Sequence, residues 1–135
     1  MAAQPKFFLD RGLGSRILAD GLRRAGWRVE TMDERYGTAA SQLQGDPEWI
    51  PEAAQRGDAI LCKDRAVTRN PLEAQAIHMN DAKVFVITSQ NVTGAVMLDW
   101  VLANEEEIFQ WAARRGPFAC GIHPRKLERL KLNYP

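Results

Sequence analysis

Two short apolar runs in this 135-residue chain end in nearly the same way, each on an aspartate followed by an arginine. The first is Phe7-Phe8-Leu9-Asp10-Arg11 and the second is Ile60-Leu61-Cys62-Lys63-Asp64-Arg65. Short apolar runs with polar boundaries predict buried strands. If the two strands are parallel, Asp10 and Asp64 lie on one edge of a sheet, at the carboxyl ends of strands where open α/β folds bind ligands.

Strand and helix patterns alternate along most of the chain. Residues 15–25 have apolar side chains at helical spacing and end at Gly26, whereas 27–32 alternates between apolar and polar residues as a strand does. Asn70-Pro71 is a typical helix start, and 83–88 is a strongly apolar strand pattern. This alternation predicts a three-layer α/β/α sandwich with a mostly parallel central sheet, in a single domain that covers residues 1–135.

The remaining segments carry weaker patterns. Residues 33–45 are predicted to be a loop with room for a helical turn, and 65–71 a connection between elements. Residues 93–115 follow a helical period with a break at Asn104, and a last short strand is predicted at 118–122. The basic segment from Arg125 to Lys131 is predicted to be a solvated terminal tail, or else a contact to phosphate or to a partner.

The composition narrows the classes of function. Lys and Arg number 18 against 17 Asp and Glu, which argues against a protein dominated by nonspecific nucleic-acid binding but leaves a local basic patch open. No apolar run is long enough to span a bilayer and the first residues lack a secretory pattern, so we expect a cytoplasmic protein without membrane contact. Cys62 and Cys120 lack Cys-x-x-Cys spacing, which favours buried core residues over zinc ligands.

A third acid lies between the two strand-end aspartates. Gly45-Asp46-Pro47 opens a predicted helix, where Asp46 suits the N-cap and Pro47 the first helical position. Asp10, Asp46 and Asp64 either converge around a cation, because close carboxylates otherwise repel one another, or only satisfy backbone N–H groups in turns and caps. Ligands that are all oxygen suit Mg²⁺ or Mn²⁺.

Cationic and polar side chains are predicted beside these acids. The arginines suit bidentate contacts to phosphate oxygens, with pairing to the same aspartates as the alternative. The hydroxyl and amide groups follow the 83–88 strand, and a polar turn is their structural alternative. The candidates for substrate binding are Arg11, Lys63, Arg65, Arg69, Ser89 and Asn91.

At this level of detail the chain resembles a known family, the PIN-like ribonuclease domains, and within it the compact group of VapC-type toxins from bacterial toxin–antitoxin pairs. The resemblance covers nearly the whole chain, and it depends more on the order and spacing of short motifs than on any one of them. These motifs are Phe8-Leu9-Asp10, Gly45-Asp46-Pro47-Glu48-Trp49-Ile50, Ile60-Leu61-Cys62-Lys63-Asp64, Asn70-Pro71, Val84-Phe85-Val86-Ile87, Asn91-Val92-Thr93-Gly94 and Gly116-Pro117-Phe118.

The resemblance implies a metal-dependent endoribonuclease, in which acidic residues hold Mg²⁺ or Mn²⁺ and the metal activates water for attack on an RNA phosphodiester. Asp10 and Asp64 match the strand-end aspartates of the family. Asp46 matches the acid at a helix start, and Glu48 competes for that role. The family usually has another acid after the strand that corresponds to 83–88, whereas this chain has Thr88, Ser89 and Asn91 there.

That departure keeps a second interpretation open. A catalytically degenerate PIN-like module that binds RNA or a protein partner would also lack the late acid. A toxin, in contrast, implies an RNA substrate and a cognate antitoxin that blocks the acidic edge. A homodimer through Trp100 or Trp111 is compatible with the sequence, although both side chains suit a core equally well. Flavodoxin-like and phosphatase-like domains fit less well, because the chain has no Gly-rich phosphate loop and no Asp-x-Asp motif.

Overall fold

The structure of the chain is a computed structural model. It describes residues 4–10, 13, 16–37, 46–63, 66–89 and 91–132. The strands are β1 (Lys6–Leu9), β2 (Arg28–Thr31), β3 (Ala59–Cys62), β4 (Lys83–Ile87), β5 (Phe118–Ile122) and β6 (Leu127–Leu130). The helices in the described part are α1 (Arg16–Arg24), α2 (Met32–Tyr36), α3 (Asp46–Gln55), α4 (Ala66–Arg69), α5 (Pro71–Met79), α6 (Gly94–Ala103) and α7 (Glu105–Ala112).

The strands form one sheet in the order β2-β1-β3-β4-β5-β6. All neighbouring pairs are parallel except β5 and β6, which are antiparallel. The chain moves from β1 outward to β2 and then returns to the other side of β1 as β3. The sheet therefore has a topological switch point between β1 and β3, and open α/β sheets bind their ligands outside the carboxyl ends of the strands at such a point.

Helices cover both faces of this sheet, so the predicted three-layer α/β/α sandwich with a mostly parallel sheet is confirmed. Successive strand residues face opposite sides, and in β1 this sends Phe7 and Leu9 to one core and Phe8 to the other. The first core lies under α1, α6 and α7, and the second lies under α2, α3 and α5. Trp49 and Ile50 of α3 are buried in the second core.

Local sequence signals account for the ends of several helices. The side chain of Asn70 accepts a hydrogen bond from the backbone N–H of Leu72 at 3.0 Å, which caps α5 as Asn70-Pro71 predicts. Gly26 follows α1 with a φ of +94°, a left-handed conformation that glycine adopts at little cost. Within the described residues, no helix is long and apolar enough to cross a membrane.

Two predicted connections contain helices. The loop predicted at 33–45 allowed for a helical turn, and the structure has one at its start, where Met32–Tyr36 form α2. Thr31 and Glu34 make a capping box, in which each side chain accepts a hydrogen bond from the backbone N–H of the other residue, at 3.1 and 2.8 Å. The connection predicted at 65–71 contains α4, in which Thr68 is buried.

The prediction of a solvated basic tail from Arg125 to Lys131 is wrong, because part of this segment is a strand. Leu127–Leu130 form β6, which pairs with β5 through a register that includes Ile122 with Leu127 and Ala119 with Leu130. An edge strand tolerates charged side chains, because one of its sides is open to solvent. The charges of this segment therefore concealed a strand whose leucines pack on the sheet.

The predicted break in the long helical segment is confirmed at Asn104. Its buried side-chain amide donates to the carbonyl oxygens of Trp100 and His123, both at 2.8 Å. The first bond ends α6, and the second ties the junction between α6 and α7 to the end of β5. Asn104 thereby links the helical layer to the carboxyl edge of the sheet, where the candidate site lies.

Candidate functional site

Asp10 occupies the switch point of the sheet. It is the first residue after β1, and its backbone N–H donates to the carbonyl oxygen of Leu61 in β3 at 3.0 Å. Its own carbonyl oxygen accepts from the N–H of Leu13 at 3.1 Å. The half-buried side chain of Asp10 is therefore attached to a backbone that is held by both central strands. Asp10 therefore lies at the carboxyl end of β1, as the sequence predicts.

Polar residues follow the next two strands along the same edge. Lys63 comes directly after β3 and is half-buried. Ser89 lies two residues after β4, and its hydroxyl oxygen accepts from the backbone N–H of Asn91 at 3.4 Å. The prediction that Ser89 and Asn91 join this edge agrees with the fold, and the bond between them is the polar turn given as the structural alternative.

Helices α3 and α5 are among those that begin at this edge, since each of them leads back into a parallel strand. Asp46 is the first residue of α3, so its backbone starts the helix, although its predicted N-cap bond lies outside the described side chains. Glu73 is in the first turn of α5, and its Oε2 atom is fully buried. Glu73 was not among the residues predicted from the sequence. The available signal was an acid three residues after the Asn70 cap, in the first turn of α5.

Several predicted site residues lie outside the described part of the structure. Neither Asp64 nor the flanking Arg11 and Arg65 is described, and the same holds for the side chains of Asp46 and Glu48. Arg69 is described, as the exposed last residue of α4. Their predicted roles stay predictions.

A polar cluster that the sequence did not reveal lies at the ends of β4 and β5. The hydroxyl of Thr88 donates to the carbonyl oxygen of Ile122 at 3.0 Å and lies 3.3 Å from Nδ1 of His123. Nε2 of His123 lies 3.1 Å from Oε1 of Glu128. His123 therefore joins β4, β5 and the start of β6 at the carboxyl edge.

The donor chemistry at this edge fits a hard divalent cation. Asp10 and Glu73 offer carboxylate oxygens, which suit Mg²⁺ or Mn²⁺. Both cysteines are buried, Cys62 as the last residue of β3 and Cys120 within β5, and burial raises the pKa of the Cys120 thiol to about 11. No set of three potential metal-ligating side chains is found within the described residues, which exclude Asp64 and the side chain of Asp46.

A second group of charges, further from this edge, consists of acids and cations that form ion pairs with one another. Arg35 of α2 contacts Asp58 at 2.6 Å and Glu30 at 2.7 Å, and Lys6 contacts Glu30 at 3.0 Å. We call Lys6, Glu30, Arg35 and Asp58 the ion network. Burial raises the pKa of Glu30, but the hydrogen bonds from Arg35 and Lys6 outweigh it and hold that pKa below its usual value. The side chains of Arg35 and Asp58 are each only 3% exposed.

Comparison with known proteins gives two matches. A family model described as a PIN like domain matches residues 5–89, which include β1 to β4 and the residues that follow each of them. The chain is also 31% identical over 123 residues to the protein named "Putative ribonuclease VapC45" of Mycobacterium tuberculosis (strain ATCC 25618 / H37Rv), an alignment that covers 91% of this chain and 89% of that protein. No solved structure matches the chain.

Proposed function

We propose that this chain, which belongs to the VapC-type PIN-like domain family, is a metal-dependent endoribonuclease and the toxin of a bacterial type II toxin–antitoxin pair. The observation that carries the proposal is the position of Asp10 at the switch point between β1 and β3, inside the region that matches the family model. The similarity to a named ribonuclease over nearly the whole length of both chains supports the same conclusion.

Asp10, Asp46 and Asp64 are the residues proposed to hold the metal, with Glu48 as the alternative to Asp46. Asp10 and Asp64 follow adjacent parallel strands, and Asp46 begins the helix that leads into the second of them. Glu73 is our addition to this set, since α5 begins at the same edge. It supplies an acid that the segment after β4 lacks.

The proposed cofactor is Mg²⁺ or Mn²⁺. When bound, such an ion supplies a water of lowered pKa and neutralises charge that develops on the phosphate. The protein's own polar and cationic residues orient the RNA. Lys63 follows β3, the neighbour of the strand that ends at Asp10, and Ser89 and Asn91 follow β4 at the same edge. Arg11, Arg65 and Arg69 flank the acids in the sequence. Their donors suit the non-bridging phosphate oxygens on either side of the cleaved bond.

The partners follow from the same proposal. An antitoxin would inhibit the enzyme by covering the carboxyl edge, and we place the pair in the cytoplasm, where RNA substrates occur. A homodimer through Trp111 is less favoured than a core role, because its ring lies 5.1 Å from the ring of Phe118 and carries the guanidinium of Arg114 at 4.1 Å.

The proposal is tested by cleavage of a labelled single-stranded RNA pool with Mn²⁺ and with excess EDTA. The wild type should cleave only with the metal, and Asp64→Asn should reduce cleavage by at least about 100-fold, because a carboxamide is a poor ligand for a hard cation. Asp99→Asn is the matched control. Asp99 is exposed on α6, away from the strand ends, and its substitution should leave the rate unchanged.

The degenerate binding module is the second candidate, favoured by one observation: Thr88 and Ser89 follow β4 where the family usually has an acid. It predicts RNA or protein binding without hydrolysis. Metal-independent binding by the wild type, with no cleavage at any Mn²⁺ concentration, would favour the module and contradict the nuclease. Metal-dependent cleavage that survives Asp64→Asn would remove Asp64 from the mechanism.

A further inference from the structure

The loop between β5 and β6 lies at the same edge of the sheet as the candidate active site. β5 is parallel to β4 and ends at Ile122, and β6 runs back from Leu127, so residues 123–126 turn over at the carboxyl edge. Neighbouring strands are about 4.8 Å apart, which puts the end of β5 roughly 10 Å from the end of β3. An RNA strand bound at the acids is long enough to cross this loop as well.

The loop carries two cations that are available to a ligand. Arg125 and Lys126 are exposed, and neither side chain forms an ion pair within the described residues. The segment 123–132 contains four Lys and Arg residues and one acid, Glu128. That acid is engaged by Nε2 of His123 at 3.1 Å. The loop therefore presents a net positive charge to solvent.

The backbone of the loop is held in place from several sides. The N–H of His123 donates to the carbonyl oxygen of Lys126 at 3.0 Å, which closes the turn. The buried amide of Asn104 donates to the carbonyl oxygen of His123 at 2.8 Å, and the ring of His123 lies 3.3 Å from the hydroxyl of Thr88. A fixed turn that presents free cations loses less conformational entropy on binding than a mobile tail would.

We propose that the β5–β6 loop is a second contact site for the substrate, in which Arg125 and Lys126 bind backbone phosphates of the RNA a short distance from the cleaved bond. This inference rests on the proposed function, and it concerns where the RNA strand continues after it leaves the acids. Contacts to phosphate add affinity and orientation without reading the base sequence. The loop therefore sets how tightly RNA is held, whereas other contacts set which bond is cut.

A different role would also explain cations beside an edge strand. Charged side chains on an edge discourage sheets from pairing with each other, and β6 is one of the two edge strands of the described sheet. In that case Arg125 and Lys126 would control self-association and leave RNA binding unaffected. Substitution of Arg125 and Lys126 therefore distinguishes the two roles, because it would change RNA binding in the first role and self-association in the second.

The test is the double variant Arg125→Gln with Lys126→Gln, which keeps the side-chain length and the backbone turn. RNA binding is measured by fluorescence anisotropy with a labelled single strand in EDTA, over a series of salt concentrations. The logarithm of the association constant falls linearly with the logarithm of the salt concentration, and each phosphate contact on a single strand contributes about 0.7 to the slope. The loss of two contacts should therefore reduce the magnitude of this slope by about 1.4. In Mn²⁺ the KM for cleavage should rise severalfold with little change in kcat.

The matched control is Arg24→Gln with Arg115→Gln, which removes two exposed cations near the opposite ends of the strands. This control should keep the wild-type slope. If the loop variant has the same slope and KM as the control while the wild type cleaves RNA, the inference is wrong and the proposed function stands. Self-association of the loop variant with an unchanged slope would overturn it in favour of edge protection. Failure of the wild type to bind or cleave RNA would overturn both.

Discussion

Acidic residues occur in two different settings on the side of the sheet covered by α2, α3 and α5. In the ion network, Glu30 and Asp58 each contact the buried guanidinium of Arg35, and Lys6 adds a second cation to Glu30. At the carboxyl edge, Asp10 follows β1 and Glu73 begins α5, and the sequence adds Asp46 and Asp64. The network has two acids and two cations, whereas the edge gathers acids where strands end and helices begin.

The difference shows how a structural acid can be told from a functional one. A buried carboxylate that serves the fold is stabilised by a cation inside the protein, since an unpaired buried charge is costly. Carboxylates that several elements bring to one edge repel one another, and a bound cation from outside the protein relieves this repulsion. Such a group of acids can therefore serve as a metal site. The two groups should therefore respond in opposite ways to mutation: one in stability, the other in activity.

The largest expected effect is on stability, at the ion network. Asp58→Ala should lower the free energy of unfolding by about 3 kcal/mol, because it leaves Arg35 buried with only Glu30 as its partner. Urea denaturation measures this change. Asp20→Asn, at an exposed position on α1, is the control and should change stability by less than about 0.5 kcal/mol. RNA cleavage per folded molecule should stay at the wild-type value in both variants. A loss of activity in folded Asp58→Ala would contradict the assignment of the ion network to stability alone.

An intermediate effect is expected on activity, at Glu73. Glu73→Gln should lower metal-dependent cleavage by about 10-fold, because it removes a negative charge that supports metal binding at the edge. Stability should change by less than about 1 kcal/mol, the range for an acid in the first turn of a helix. Glu106→Gln is the matched control, since Glu106 is an exposed acid in the first turn of α7. A drop in stability with full activity would assign Glu73 to the fold.

The smallest effect is the pH dependence contributed by Glu30. Its pKa is lower in the folded protein than its usual value of 4.5, so the unfolded chain binds the proton more readily. The stabilisation by Glu30 is fully present above about pH 4.5 and is lost as the pH falls through the folded pKa. Glu30→Gln should therefore reduce the acid slope of unfolding free energy. Part of the slope should remain in this variant because of Glu34. The hydrogen bond from Arg23 holds the pKa of Glu34 below its usual value, and the opposing effect of burial is smaller. An unchanged slope in Glu30→Gln would contradict this account.

Most of the fold was accessible from the sequence because its signals are local. Apolar runs gave β1, β3 and β4, and the Asn70-Pro71 pair marked the start of α5. β6 was missed because its pairing with β5 joins residues that no short pattern relates. Its two leucines alone are too few to indicate a strand in a segment that is otherwise charged. α2 was predicted only as an optional helical turn in a polar stretch, although Thr31 and Glu34 have the spacing of a capping box.

The candidate site was accessible only in part, and for a related reason. An acid directly after an apolar run is a local pattern, which identified Asp10. Glu73 and His123 reach the same edge only because the chain returns there after α4 and after β5. Their positions depend on strand order, which no short segment encodes. Asp64, Arg11 and Arg65 lie outside the described residues, so their roles stay predictions.

The measurement that tests the central claim most directly is calorimetric titration of Mn²⁺ into the wild type, Asp10→Asn, Asp64→Asn and the control Asp99→Asn, with folding checked by circular dichroism. We predict saturable binding by the wild type and by Asp99→Asn, and its loss in both edge variants while they remain folded. Binding that persists in Asp10→Asn and Asp64→Asn, or its absence from the wild type, would contradict a metal site at the carboxyl edge.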